Sequence, residues 1–146
     1  MWKELAREVY PESGFVEPAT PSALNDAERV LSESLPEELR SLLAETNGIL
    51  AHTSSRAVWP VEEIVRRNVS LRQDESLTAL YMSFDPFLFF GDNGGGDLFA
   101  FVIRPQRPDI FVWQHESDSR KWVARNLQDY LRRRLVQGGD DWYEGY

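Results

Sequence analysis

The sequence of 146 residues contains no cysteine, which excludes disulfide bonds and thiolate metal sites. Histidine is scarce too: only His52 and His115 offer imidazole ligands, and their separation fits no short metal-binding motif. No apolar run approaches the roughly 18 residues that a membrane span needs, and the first residues lack the basic and apolar regions of a secretory signal. We therefore expect a cytoplasmic protein with no metal, no cofactor and no membrane contact.

Acidic residues exceed basic ones, and the net charge is −8. Residues 1–119 carry 10 basic and 20 acidic residues, whereas residues 120–136 carry six basic residues against Asp129 alone. An acidic body repels phosphate, so we expect no nucleic-acid partner. It favours a basic protein partner instead. The alternative is that the charge only keeps the protein soluble.

Turn-forming residues divide the stretch from about residue 87 to residue 116 into three apolar runs. The runs are Phe87–Phe90, Leu98–Ile103 and Ile110–Trp113. The first two are separated by the glycine-rich segment Gly91–Asp97, and the reversal between the last two is bracketed by Pro105 and Pro108. Runs rich in Phe, Val and Ile that alternate with turns favour β-strands. This stretch therefore predicts an antiparallel meander.

Helical patterns lie on both sides of the meander. Apolar residues recur at helical spacing over residues 2–9, and Thr20-Pro21, Leu35-Pro36 and Pro60 each begin a further helical pattern. After the meander, Lys121–Ala124 predicts a fourth strand, and a closing helix follows whose Arg132–Arg134 we expect to face water. Helices followed by an uninterrupted run of strands favour an α+β fold: a mainly antiparallel sheet with N-terminal helices and a C-terminal helix packed on it.

The length fits one domain over residues 1–146. We expect residues 1–19 to form an N-terminal helix and a linker. Residues 137–146 read as a flexible acidic and aromatic tail, in which Asp140-Asp141-Trp142-Tyr143-Glu144 supplies both characters.

Four segments of this sequence resemble the motifs of one known family. They are Leu35–Gly48 (LPEELRSLLAETNG), Phe90–Phe101 (FGDNGGGDLFAF), Val112–Glu116 (VWQHE) and Trp122–Leu131 (WVARNLQDYL). In this order they resemble the SUKH superfamily, which includes the Smi/Knr regulators of fungal cell-wall assembly and bacterial immunity proteins. The resemblance covers about residues 20–136 and implies an α+β fold, a non-enzymatic role and, for the bacterial branch, the neutralisation of toxins, often nucleases.

The glycine-rich segment invites a ligand-site interpretation through Asp92, Asn93 and Asp97. It has neither a GK[ST] pattern nor a strand-GxGxxG-helix context, so it does not predict a phosphate site. A calcium loop would need more ligands and a closing glutamate. Hairpin geometry, with carboxylates that satisfy the turn amides, explains the segment best. Contact with a protein partner remains the alternative.

His115 and Glu116, with Asp118 nearby, could suggest an acid–base pair. Adjacent strand residues point to opposite faces, however, and cannot both address one substrate atom. No GxSxG nucleophile motif is present either. We therefore expect no enzymatic activity. A metal-dependent enzyme that uses Asp92, Asp97 or His115 is the less favoured alternative.

Five tryptophans bear on possible interfaces. Trp2, Trp113 and Trp122 fit core positions best, and we expect Trp59, just before Pro60, to be half-exposed. Aromatic residues beside carboxylates are also good anchors for a basic protein. The candidate partner-binding residues are Trp59, Asp92, Asn93, Asp97, Trp113, His115, Glu116 and Asp118.

Together these observations predict a non-catalytic binding protein, a monomer or homodimer. The resemblance makes a bacterial immunity protein that binds a basic toxin domain the first hypothesis. A regulatory or scaffold module without a toxin partner is the alternative.

Overall fold

The computed structural model describes residues 1–52, 55–136 and 142–143, which form six helices and seven strands in an α+β arrangement. The helices are α1 (Trp2–Val9), α2 (Pro21–Leu31), α3 (Glu37–Glu45), α4 (Val61–Gln73), α5 (Glu75–Leu80) and α6 (Leu127–Val136). The strands are β1 (Gly14–Phe15), β2 (Ile49–Leu50), β3 (Arg56–Val58), β4 (Phe87–Asp92), β5 (Leu98–Ile103), β6 (Gln106–Gln114) and β7 (Ser119–Ala124). None of the helices in these ranges is long and apolar enough to cross a membrane.

The main sheet is a four-stranded antiparallel meander in the order β4-β5-β6-β7. The predicted fold class, the meander and its fourth strand are confirmed. The reversal between β5 and β6 is shorter than predicted, because Ile103 already pairs with Gln106. Pro108 consequently lies within β6, in its exposed first half, where the sheet tolerates a residue without an N–H.

Aromatic side chains cover both faces of this sheet. On one face Tyr130 of α6 packs against Phe90 and Phe99, with ring centroids 5.1 and 5.0 Å apart. On the other face Phe84 packs edge-on against Phe89 and Trp113. The apolar character of both strand faces is therefore explained by two layers of packing.

A second, smaller sheet has the order β1-β2-β3. It corrects the prediction of a plain linker after α1, because Gly14 and Phe15 pair with Leu50 and Ile49. The backbone N–H of Ala19 also donates to the Leu43 carbonyl at 2.9 Å. The segment between α1 and α2 is thus tied to the body of the protein along its length.

Gly91 lets the two sheets meet. The N–H of Trp59, just after β3, donates to the Phe90 carbonyl at 2.8 Å. A Cβ on Gly91 would lie only 2.2 Å from the carbonyl oxygen of Ala57. The same carbonyl accepts a hydrogen bond of 2.7 Å from the buried hydroxyl of Tyr130, so it has little freedom to move away. Close backbone approach, not turn geometry, explains this glycine.

Two expectations for the C-terminal end of the chain are wrong. Tyr143 is fully buried and Trp142 stacks over Phe99 at 5.8 Å, so these two residues do not belong to a flexible tail. Arg134, expected to face water, is buried and donates to the Ser55 hydroxyl at 2.7 Å. The acidic residues of the predicted tail, Asp140, Asp141 and Glu144, lie outside the described residues.

The junction at Gly91 predicts a large difference between two neighbouring substitutions. Gly91→Ala should lower the free energy of unfolding by about 1–3 kcal/mol, because its methyl group would force β3 and β4 apart. Gly95→Ala is the matched control: its Cβ would meet nothing closer than 3.7 Å, and the expected change is within about 0.5 kcal/mol. Chemical unfolding of both variants measures the difference, and equal stability would contradict the assignment.

Candidate protein-binding site

The candidate partner-binding residues gather at one end of the main sheet. This hairpin end consists of the β4–β5 turn with its flanks (residues 91–98) and the β6–β7 turn with its flanks (residues 113–119). Trp59 joins it from the other sheet, because its indole N–H donates to the Asp92 carboxylate at 2.6 Å. Residues spread over sixty positions of sequence thus share one region.

Asp92 closes the first half of the β4–β5 turn. Besides the indole of Trp59, its carboxylate accepts the backbone N–H of Gly94 at 2.8 Å. The guanidinium of Arg56 lies 3.8 Å away. The carboxylate is therefore occupied by internal partners, as a turn-forming aspartate is expected to be.

Asn93 organises the rest of that turn from a buried position. Its side-chain oxygen accepts the N–H groups of Gly95 at 2.8 Å and Asp97 at 3.0 Å. Its side-chain nitrogen donates to the hydroxyl of Tyr143 at 3.1 Å. All of its side-chain hydrogen-bonding groups thus serve the fold.

Asp97 connects three parts of the chain. One carboxylate oxygen accepts the backbone N–H of His115 at 3.1 Å and the Nδ1–H of its ring at 2.6 Å. The other oxygen accepts the hydroxyl of Tyr143. A Cβ on Gly96 would lie 2.8 Å from the ring of His115, so the glycine also makes room for the imidazole.

Asp118 fixes the β6–β7 turn in a left-handed conformation, with φ 58°. Its carboxylate accepts the indole N–H of Trp113 at 2.7 Å, the guanidinium of Arg120 at 3.0 Å and the N–H of Met82 at 3.1 Å. Burial alone would favour the neutral acid, but these donors outweigh it and hold the pKa of Asp118 below its usual value.

Exposure separates the candidate residues into two groups. Glu116 is exposed, and 38% of the His115 side chain is accessible. Asn93, Asp97 and Trp113 are buried. Their burial argues for a positioning role beneath the surface.

Two tryptophans differ from their predicted exposure. Trp59 is fully buried, since Arg67 lies 4.6 Å above its ring and Asp92 binds its indole. Trp122, expected in the core, is 42% exposed because it lies on the terminal strand of the sheet. The alternation of apolar and polar residues along a strand does not reveal whether that strand lies at the edge of the sheet.

The ligand-type side chains of the hairpin end do not converge on one point. Asp97 and His115 meet, but Asp92 is held by Trp59 and Gly94 instead of joining them. In the part of the chain that the structure describes, no three side chains of the usual ligand types converge.

Sequence reasoning missed two residues that complete the hairpin end. Tyr143 is the buried partner of Asn93 and Asp97, and Arg120 joins the β6–β7 turn to the carbonyls of Met82 and Ser83. The aromatic pair Trp142-Tyr143 was a usable signal, because adjacent aromatic residues favour burial more than fraying.

The fold defines an α+β domain. A family model described as SUKH_6, SMI1-KNR4 cell-wall, matches residues 21–131, and the chain belongs to this SUKH family. Its members are generally non-enzymatic immunity or regulatory proteins. No curated protein matches the chain. The matched span leaves out α1, β1, the last five residues of α6 and the Trp142-Tyr143 pair.

Removing one buried hydroxyl tests the link between Tyr143 and the hairpin. Tyr143→Phe leaves Asp97 and Asn93 each short of a partner, so the free energy of unfolding should fall by about 1–3 kcal/mol. Tyr10→Phe is the control, because its hydroxyl donates to exposed Glu12 at 3.3 Å; its effect should stay within about 0.5 kcal/mol. Urea titrations that give both variants the same stability would overturn the link.

Asp118→Asn should reduce stability in a pH-dependent way. Because the folded-state pKa is lowered, the stabilisation is fully present above the unfolded value of about 3.9 and is lost as the pH falls through the folded value. We expect the variant to cost about 1 kcal/mol at neutral pH and the gap to the parent protein to close in acid. Asp85→Asn, at an exposed carboxylate, should show no such dependence. A gap that is constant with pH contradicts the prediction.

Proposed function

We propose that this protein is an immunity-type binding protein that neutralises a cognate toxin domain, with nucleases among the candidate toxins. The observation that carries the proposal is the family match over residues 21–131. A net charge of −8 supports a basic partner, since opposite charge speeds the encounter. We place the protein in the cytoplasm, acting as a monomer or homodimer without a cofactor.

The hairpin end is the proposed contact surface. Gly94, Gly95 and Gly96 expose backbone at its tip, beside Glu116 and the accessible part of His115. Asp92 and Asp118 have arginine partners, whereas no ion pair joins Glu116 to another described residue. Glu116 is therefore the carboxylate of this surface that is available to a basic partner.

The buried and half-buried residues beneath this surface support it by fixing its two turns. Asn93 and Asp97 fix the β4–β5 turn, and Asp118 fixes the β6–β7 turn. A loop that is already ordered loses less conformational entropy on binding. The proposal assigns Trp59, Asp92, Asn93, Asp97, Trp113 and Asp118 to positioning and leaves direct contact to the exposed residues.

A regulatory or scaffold role without a toxin partner is the second candidate. The description of the matching family refers to the cell wall, and this favours a regulatory role in that context. The two candidates differ in the neighbouring gene, because an immunity protein is expected beside its toxin. A pull-down that recovers several housekeeping proteins, with no toxin gene next to this one, would support the regulatory role.

Co-expression with the toxin encoded next to this gene should restore growth. In the purified pair, Glu116→Lys should weaken binding at least tenfold, about 1.4 kcal/mol, because it replaces an attraction at the contact surface by repulsion. Glu8→Lys makes the same charge change on exposed α1, outside the matched span. It should alter the dissociation constant less than twofold.

Undiminished toxicity in the presence of soluble, folded protein would contradict the immunity role. If growth is restored but both lysine variants weaken binding equally, the toxin is bound, but the hairpin end is not the contact surface.

A further inference from the structure

Among the residues that the structure describes, no strand pairs with the outer edge of β7. β7 is the terminal strand of the main sheet, with β6 as its neighbour. The opposite edge differs, because β4 receives the backbone N–H of Trp59 and lies against Ala57 of β3. An open edge presents unpaired N–H and carbonyl groups in the geometry that an extended peptide requires.

An aromatic surface adjoins this edge. Trp122 pairs in register with Phe111, and the ring of Phe111 lies 6.1 Å from that of Phe87. Phe87 and Phe111 are half-buried, whereas Trp122 is 42% exposed. The indole is held by a hydrogen bond of 3.0 Å from Nε1 to Asp109. A fixed, exposed tryptophan is a preorganised anchor of the kind that dominates binding energy.

The other face of β7 carries a cation. Lys121 alternates with Trp122 along the strand, so the two side chains point to opposite faces of the sheet. In the described ranges no ion pair involves Lys121, whereas Arg120 is paired with Asp118 and Arg133 with Asp129. Residues 120–136 together carry six basic residues against one acidic residue, in a protein that is otherwise acidic.

We propose that the edge of β7 binds an extended segment of a protein partner in which acidic and apolar residues alternate. Paired beside β7, such a segment places its apolar residues against Trp122 and Phe111 on one face and its carboxylates beside Lys121 on the other. The alternation of the partner thus matches the alternation of the strand. This edge continues from the β6–β7 turn of the hairpin end, but it takes a partner of opposite charge.

A second copy of this chain is a poorer occupant of the edge. Pairing two β7 strands would bring Arg120 and Lys121 of both copies together, and like charges oppose that approach. Lysine on an edge strand is also a common obstacle to self-pairing. The same charge that disfavours a second copy selects an acidic segment.

Two short synthetic peptides test the site: one alternates glutamate with valine, and its counterpart alternates lysine with valine. Titrated into the full-length ¹⁵N-labelled protein, the glutamate peptide should shift the amide signals of residues 119–125, and the lysine peptide should bind at least tenfold more weakly. Trp122→Ala should weaken the binding of the glutamate peptide at least tenfold. Lys121→Glu should make the protein bind the lysine peptide more tightly than the glutamate peptide. Lys3→Glu, the same change on α1, should leave the preference for the glutamate peptide intact.

Absence of binding, equal binding of both peptides, or amide shifts that leave β7 and its neighbour β6 unaffected would overturn the proposal. Amide shifts in β7 that depend on protein concentration without peptide would assign the edge to a second copy instead. Trp122→Phe keeps an aromatic ring at this position, so it is the control for an effect of Trp122→Ala on folding. Rescue from the toxin should be unchanged in Trp122→Ala and Lys121→Glu, so failure at this edge and failure of the immunity role are separate outcomes.

Discussion

The hairpin end depends on the hydrogen bonds that the carboxylate of Asp97 accepts. It accepts hydrogen bonds from the backbone and ring of His115 and from the hydroxyl of Tyr143, and so joins the start of β5, the end of β6 and the C-terminal part of the chain. A buried carboxylate is costly unless its oxygens are satisfied. The burial of Tyr143 and the shape of the β4–β5 turn are therefore parts of one arrangement.

The sequence predicted those elements whose signals are local. Thr20-Pro21 begins a helix because the threonine hydroxyl accepts the Ala23 N–H at 3.0 Å. The meander followed from apolar runs between turns. Both sequence patterns lie within a few residues of the structural element that they predict.

What could not be predicted depends on residues far apart in the chain. Arg134 is a basic residue near a helix end, and only the fold places Ser55 beside it. Trp59 is buried because Asp92, more than thirty positions later, accepts its indole N–H. Trp122 is exposed because β7 has one neighbouring strand in the sheet. Each outcome was set by tertiary contacts, which the pattern of apolar residues does not encode.

The two proposals use two chemically different regions of one domain. At the hairpin end, buried Asp97 and Asn93 fix a turn beside exposed glycine backbone, His115 and Glu116. Along β7 the surface is aromatic and basic. The SUKH family, to which the chain belongs, consists generally of non-enzymatic immunity or regulatory proteins.

Hydrogen–deuterium exchange on the complex with the toxin domain tests the central claim most directly. If the hairpin end is the contact surface, amides of residues 93–97 and 114–118 should gain protection on binding, while those of α1 and α2 stay unchanged. Protection confined to the helices, with unaltered exchange at both turns, would show that the toxin is recognised elsewhere and would contradict the proposed site.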